Sequence, residues 1–336
     1  MVQPGSHVKR CRTVAHLLQS SAASAIVERK HPEEAALISV DVGTFSPPIV
    51  LDLSASSGLL AAAGLEVAEH PVSSSPAQFR SLADGDLQVA LTSPDNVLAY
   101  RFNPRNPLGE LLDARIVSAV DRALGLGLYG RPGFTADDLR GATVGVDVPH
   151  SGFALALYAL ADRLDVRRDE YDLVSLGSTP KRLEALLAGD CDATMLNAGN
   201  DLLAEAAGCV RLAGVTDHFA PYLGTVVAVV GDRHLETARL LARALTETSG
   251  EILAGSLDAE AMKSARRRLG LDEELARRYL DRMRSPEEGL VADGRVDRGS
   301  LETLVALRTT WLPAVVDGRD VMDAALAEDS GLVDLD

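Results

Sequence analysis

The sequence predicts an α/β protein of two lobes, each built on a doubly wound sheet, with a hinge and a central cleft between them. Three observations carry this expectation. A pattern occurs twice, 104 positions apart: Phe79–Asn96 reads F-R-S-L-A-D-G-D-L-Q-V-A-L-T-S-P-D-N and Leu183–Asn200 reads L-E-A-L-L-A-G-D-C-D-A-T-M-L-N-A-G-N. Superposed, Leu82 meets Leu186, Gly85 meets Gly189, Asp86 meets Asp190 and Asn96 meets Asn200. Each copy reads as a helix end, a glycine stop, a short apolar strand and a polar loop, glycine entering the left-handed region without a Cβ penalty. Secondly, strands and helices alternate from Ala35 onward, which implies parallel sheets covered on both faces. Thirdly, 336 residues are long for one core and comfortable for two domains.

The elements follow in order. Residues 1–34 carry no clean period and read as an N-terminal extension. Ala36–Val42 is a first strand ending at Gly43, and Ser46-Pro47 gives a cap and a proline at the start of a helix running to Ala63. Leu65–Glu69 is a half-exposed strand. Ser75-Pro76 opens a helix that stops at Gly85, Leu87–Thr92 is a strand, and Ser93-Pro94 opens the next helix. After a proline-rich interruption at 103–113, Arg115–Tyr129 reads as a strand pair, with Gly125 and Gly127 allowing a bend. Gly130-Arg131-Pro132-Gly133 is the expected crossing between lobes. Thr135–Gly141 is a short capped helix, Ala142–Val148 a strand, and Pro149-His150-Ser151-Gly152 leads into an amphipathic helix through Leu164. Tyr171–Leu176 is a strand, Thr179-Pro180 opens the helix that ends at Gly189, and Val210–Val215 closes the second lobe. Thr225–Val230 (T-V-V-A-V-V) is too uniformly apolar to face water and is expected to return, buried, to the first lobe. Residues 233–315 are helical by period, with solvated arginine faces such as Ala265–Arg268; Trp311 is expected to pack a late helix onto lobe one. The division is therefore 35–130 plus 221–336 for lobe one and 131–220 for lobe two.

Composition narrows the function. Hydrophobic content of 46% with 24% charged residues is ordinary for a globular chain. A net charge of −16 opposes both nucleic-acid binding and polybasic anchoring to anionic lipid. Lysine is confined to Lys9, Lys30, Lys181 and Lys263, which reads as coding bias. Cys11, Cys191 and Cys209 form no C-x-x-C pair, so no metal centre or cofactor is expected, and Cys191 and Cys209 read as small buried hydrophobes. No stretch approaches the ~18 apolar residues of a membrane span. Lys9, Arg10 and Arg12 imitate a basic leader, but T-V-A-H-L-L-Q-S-S is too short and polar for its apolar core, and the residues before Cys11 form no lipoprotein site. The expectation is a cytoplasmic monomer unless the true start lies elsewhere.

Four pieces in order carry a family resemblance: Gly64-Leu65-Glu66-Val67, Leu82–Ala90, Asp138-Leu139-Arg140-Gly141-Ala142-Thr143-Val144-Gly145-Val146, and Leu186–Ala193. Together they resemble the periplasmic-binding-protein-like fold of the second type, in the branch of nitrate/sulfonate/taurine-type solute receptors and the thiamine-pyrimidine-precursor synthase-like family. The third piece is similar to a "D-L-K-G-K-x-V-G-V" element and the fourth to "L-x-x-G-x-V-D-A". The resemblance spans Ala35 to Val230. It implies a substrate-binding protein whose partner is an ABC permease, in a family that is usually extracytoplasmic.

The loops at strand carboxyl ends should face the cleft. They contribute Thr44, Phe45 and Ser46; Ser93, Asp95 and Asn96; His150 and Ser151; and Asn197 with Asn200. Several are helix N-termini, whose free N–H groups suit an anion, although Ser46, Ser93 and Ser151 read equally as plain caps. His150 is a candidate ligand contact and, were the protein an enzyme, its acid or base; a solvent-facing loop histidine is the other reading. Ser151 lacks a G-x-S-x-G elbow and is no nucleophile. Asp217, beside His218 and near Tyr222, is expected at the hinge or rim. Asp95 and Asp217 disfavour a dianion, and Arg131 is the nearest arginine to the cleft loops, so a small polar or aromatic ligand is expected rather than phosphate or sulfate. The functional expectation is hinge closure around a small organic solute for an ABC-type importer. The alternatives are a cytosolic lyase, decarboxylase, dehydratase or pyrimidine-synthase-like enzyme on the same fold, or a cytosolic sensor.

Overall fold

Ile38–Thr44 forms β1 and Leu65–Pro71 forms β2, paired in parallel with Val40 opposite Val67. The structure is a computed structural model that describes Met1, residues 36–316 and residues 319–334. The extension, the leader-like segment and Cys11 lie outside the described residues. Between β1 and β2 the expected single helix is two: α1 (Ile49–Ser56) and α2 (Leu59–Ala62), parted at Gly58 in the left-handed conformation. The start also differs. Pro48, not Ser46, stands at the cap of α1, and no side chain caps it. Two consecutive prolines remove the N–H groups a serine cap would engage.

The repeat is real in three dimensions. α3 (Ser75–Asp84) stops at left-handed Gly85, β3 (Val89–Thr92) is buried throughout, and α4 (Pro94–Phe102) is capped by Ser93. Later, α6 (Thr179–Ala188) stops at left-handed Gly189, β8 (Ala193–Leu196) is likewise buried, and α7 (Asn200–Ala206) follows.

The remaining strands are β4 (Ala114–Asp121), β5 (Gly127–Gly130), β6 (Thr143–Val146), β7 (Asp172–Ser175), β9 (Val210–Gly214) and β10 (Thr225–Val230). They build two five-stranded sheets, ordered β2-β1-β3-β10-β4 and β7-β6-β8-β5-β9. Each is mixed: the first three strands of each order run parallel, while β10 and β5 lie antiparallel to both neighbours. Neither sheet is all-parallel, contrary to what the alternation of strands and helices implies. A strand arriving from the other lobe need not make a right-handed βαβ crossover, so it can enter antiparallel. T-V-V-A-V-V does return to the first sheet as β10, buried between β3 and β4. Arg115–Tyr129 is not a pair within one sheet, because β5 joins the second. The chain therefore crosses within 122–126, before the Gly130–Gly133 turn, and returns between β9 and β10.

Helices cover both sheets: α5 (Gly152–Arg163) and α8 (Val215–Phe219) in the second half, then α9 (Leu235–Ala254), α10 (Asp258–Leu269), α11 (Glu273–Met283) and α12 (Arg298–Trp311). α12 packs on both α5 and α4. Trp311 stands edge-on to Tyr158 of α5, ring centroids 6.1 Å apart, so it docks the last helix onto the second lobe rather than onto the first alone. Cys191 and Cys209 are buried and unpaired, with thiols pushed up by burial, Cys191 to about 11. Among the described residues no helix is long and apolar enough to cross a membrane.

Candidate functional site

A cavity of about 100 Å³ lies where the carboxyl ends of the two sheets face each other. That is about two-thirds of the ~150 Å³ apolar site that holds a benzene molecule, so the cavity suits a compact ligand. One wall is the β1–α1 loop, Thr44 through Pro48, with Thr92, Ser93 and Asn96 after β3. The opposite wall is the β6–α5 loop, with Asp147, Ser151, Gly152 and Phe153, joined by Thr179, Arg182 and Asn197. The floor is the crossing itself, Asp121, Leu124, Gly224 and Thr225, closed by Tyr279 and Met283 of α11.

The walls meet directly. A Cβ on Gly152 would stand 2.6 Å from Asp95 Cβ and 3.0 Å from Ser93 Oγ, so only glycine lets the start of α5 approach the start of α4. At the floor a Cβ on Gly224 would fall 2.3 Å from Ala123 Cα. Ala123 and Leu124 adopt positive φ angles of 96° and 45° in the same crossing. Non-glycine residues pay a steric cost there, so packing must hold the crossing in place.

Three charged side chains belong to the cavity. Arg182 is 2% exposed. It donates to Met195 O at 3.2 Å, Gly177 O at 2.6 Å and Thr179 Oγ1 at 2.9 Å, and its guanidinium lies 5.9 Å from the centre of the Phe153 ring. Burial lowers its pKa, offset by the Asp147 charge. Asp147 is 8% exposed; burial holds its carboxyl above the ordinary range, against the charge of Arg182, the Ser151 hydroxyl and nearby backbone N–H groups. Its Oδ1 has no hydrogen-bond partner in the protein. Asp121, fully enclosed, is pushed up to about 6 by burial, against hydrogen bonds from Thr225 and from the N–H of Ala123 at 2.8 Å. Among the described residues no group of three His, Cys, Asp or Glu side chains is placed to hold a metal ion.

The structure brings seven of the expected residues to the cavity: Thr44, Phe45, Ser46, Ser93, Asn96, Ser151 and Asn197. Ser93 and Ser151 also cap their helices, accepting from Asp95 N at 3.3 Å and Ala154 N at 3.2 Å, so capping and lining coexist. Four others stand elsewhere. Asp95 is buried behind the wall in an ion pair with Arg308 of α12, Nε to Oδ1 at 2.8 Å with a second bond from Nη2. His150 is exposed and does not line the cavity; its carbonyl accepts from Arg308 at 3.2 Å. Asn200 supports the site from behind, donating to Asn197 O at 3.1 Å. Asp217 pairs with Arg211 at 3.0 Å on the surface of α8.

Asp147, Arg182, Thr179, Phe153, Asp121 and Tyr279 were not expected at the site. For Arg182 a signal existed. It stands 104 positions after Gln78, one residue upstream of the repeated pattern. Gln78 donates to Leu91 O at 3.3 Å as Arg182 does to Met195 O. Asp147 was hidden inside an apolar run whose strand ends one residue earlier, at Val146.

No protein-family model matches the chain, and no curated protein matches it. Solved structures do. A Bordetella bronchiseptica RB50 protein superposes with a TM-score of 0.68 at 15% identity, covering 88% of this chain and 94% of that one. The alkanesulfonate-binding protein of Xanthomonas axonopodis pv. citri, bound to MOPS, superposes at 0.66 and 15% identity over 87% and 98% of the two chains. A Candida albicans product described as having the generic periplasmic binding protein structural fold gives 0.64 and 15% over 89% and 96%. The chain has the periplasmic-binding-protein-like fold of the second type. In this fold the repeated 2-1-3 parallel core and its antiparallel visitor account for both sheets, and the cavity occupies the face where open α/β sheets take ligands.

Proposed function

We propose that this protein is the solute-binding component of an ABC-type importer, a monomer that takes one small organic molecule between two lobes. Lobe one comprises the β1–β4 region with β10 and the helices packed on it; lobe two comprises β5 to β9. The observation that carries the reading is the shared cavity, to which each lobe contributes the loop after its central strands. The strained crossing at Ala123 and Leu124, packed against Gly224, supplies the pivot. Relatives of this fold include the sulfonate-binding protein above and a ligand-binding component of an ABC-type import system from Staphylococcus aureus, at 12% identity and a TM-score of 0.64.

A broad metabolite screen by thermal shift, with small-angle scattering on the hits, tests this. A ligand should raise the melting temperature in proportion to the logarithm of its concentration above Kd and reduce the radius of gyration. No shift across the library and no compaction would remove the reading. A cytosolic enzyme on the same fold would use Asp147 rather than His150, since a buried carboxyl with a raised pKa suits proton transfer. Mass spectrometry of the recovered ligand separates the two readings: unchanged ligand supports binding, and a product supports catalysis.

A further inference from the structure

We propose that the cleft selects a small organic cation, an ammonium or amidinium compound whose N–H groups reach Asp147 while its apolar or aromatic body rests on Phe45, Pro47 and Phe153. The inference rests on the reading of the cavity as a solute site. Its first support is the carboxylate itself. Among the cavity-lining side chains described, Asp147 Oδ1 is the buried polar atom left without a partner. An unpaired charged acceptor away from water is costly, and a site that keeps one is complete only when a donor arrives. The Ser151 hydroxyl and the backbone N–H groups of Asp147 and Val148 hold the carboxyl in place, and Oδ1 is left for a donor from the cavity.

The second support is the treatment of the cavity's cation. An anionic ligand would need Arg182, yet each of its three guanidinium nitrogens already donates within the protein, two to backbone carbonyls and one to Thr179. Its charge lowers the cost of burying Asp147, and three of its five N–H donors are already engaged within the protein. The helix starts around the cavity are also partly engaged or preceded by proline. α1 begins behind Pro47 and Pro48, which have no N–H; α4 is capped by Ser93 and carries Asp95 in its first turn; α5 is capped by Ser151 and faces Asp147. An anion in the cavity would meet Asp147 and Asp121 across a low-dielectric gap, where like charges repel strongly. The third support is the opposite wall, where Phe45, Pro47 and Pro48 supply apolar surface and no charge. A cation on an apolar body matches both walls at once.

Three planar probes of similar size test the charge: benzamidine, neutral benzamide and anionic benzoate, each leading a set of related cations, neutrals and anions, titrated by calorimetry into the full chain. The expected result is binding led by the cations, with the neutral set at least ~10-fold weaker and no binding by the anions. Asp147→Asn should weaken the cations by ~10- to 100-fold and close their gap to the neutral set, the loss of one charge-assisted hydrogen bond. The variant's own melting temperature should fall, because Arg182 loses the charge that offsets its burial. The wild-type series reads the charge preference even should that variant not fold. Anions binding as well as cations, or Asp147→Asn keeping full cation affinity, would overturn the inference and leave the solute site standing. Binding by none of the three sets would remove both.

Discussion

The two lobes share one frame and fill it with opposite chemistry. The register of β1 on β3 and of β6 on β8 places Gly43 at the position of Gly145, and hence Phe45 at that of Asp147. The 104-residue repeat places Gln78 at the position of Arg182. So where lobe one has a phenyl ring and a neutral amide, lobe two has a carboxylate and a guanidinium. The helix starts differ in the same way: Pro47-Pro48 ahead of α1 offers no donor, while Ser151 caps α5. The backbone, which needs only a strand, a turn and a helix start, tolerates either set. The difference teaches that an αβ unit can be duplicated for shape while its loop tips divide the labour, one wall for packing and one for charge.

The likeness extends to the rear of each wall. Each helix after a central strand carries a buried aspartate at its second position, Asp95 in α4 and Asp201 in α7, and each is gripped by an arginine from the C-terminal helices, Arg308 and Arg282 respectively. The sharpest way to break the comparison is there. Arg308→Met leaves Asp95 buried and unpaired, both partners being 1% exposed, and should cost ~3–5 kcal/mol in urea unfolding at neutral pH. Arg282→Met should cost less, because Arg282 keeps some solvent contact and the site can relax toward water. Equal losses would show that the two grips are equivalent.

The seam between the lobes gives the next largest effect. Asp121 has its pKa pushed up to about 6 in the fold, against an ordinary value near 3.8. Between those values the native state holds a proton that the unfolded chain has released, so stability falls as pH rises from 4 to 6, by about 3 kcal/mol from this group. Asp147, also raised, acts in the same direction. Asp121→Asn should flatten that part of the stability profile. A variant whose urea midpoint still tracks the wild type from pH 4 to 6 would assign the slope elsewhere.

Gly152→Ala tests how closely the walls need to meet. Its new methyl would overlap Asp95 and Ser93, and a loss of ~1–3 kcal/mol is expected. The smallest effect separates the two helix starts. Ser151→Ala should cost ~1 kcal/mol for a lost cap, whereas Ser46→Ala, where no helix N–H is bonded, should stay within ~0.5 kcal/mol. Equal values would mean that the loops are alike after all.

Local rules made most of the frame legible. Glycine in the left-handed conformation ends α3 and α6 where the pattern placed it, at Gly85 and Gly189, because no other residue adopts that turn so cheaply. Ser93 and Ser151 start their helices for an equally local reason, an oxygen one turn away from a free N–H. Ser46 failed as a cap because the prolines after it delayed the helix, a preference that competes with capping within the same few residues. The site was half legible. Loop residues such as Thr44 and Asn197 follow from strand ends, but Asp147 lies in an apolar run and Arg182 inside a helix, where local pattern marks no site.

The sequence by itself determined the alternation of elements, the duplication and the faces that must be buried, since propensity, capping and hydrophobic period act over a few neighbouring residues. Tertiary structure alone decided which way β10 and β5 enter their sheets, that α12 bridges α4 and α5, and that Asp95 is sealed against Arg308 while Asp147 opens to the cavity. Two aspartates beside helix starts are equivalent in local chemistry. Their fates differ because a partner 213 residues away reaches one and not the other, and no local period encodes a contact at that distance.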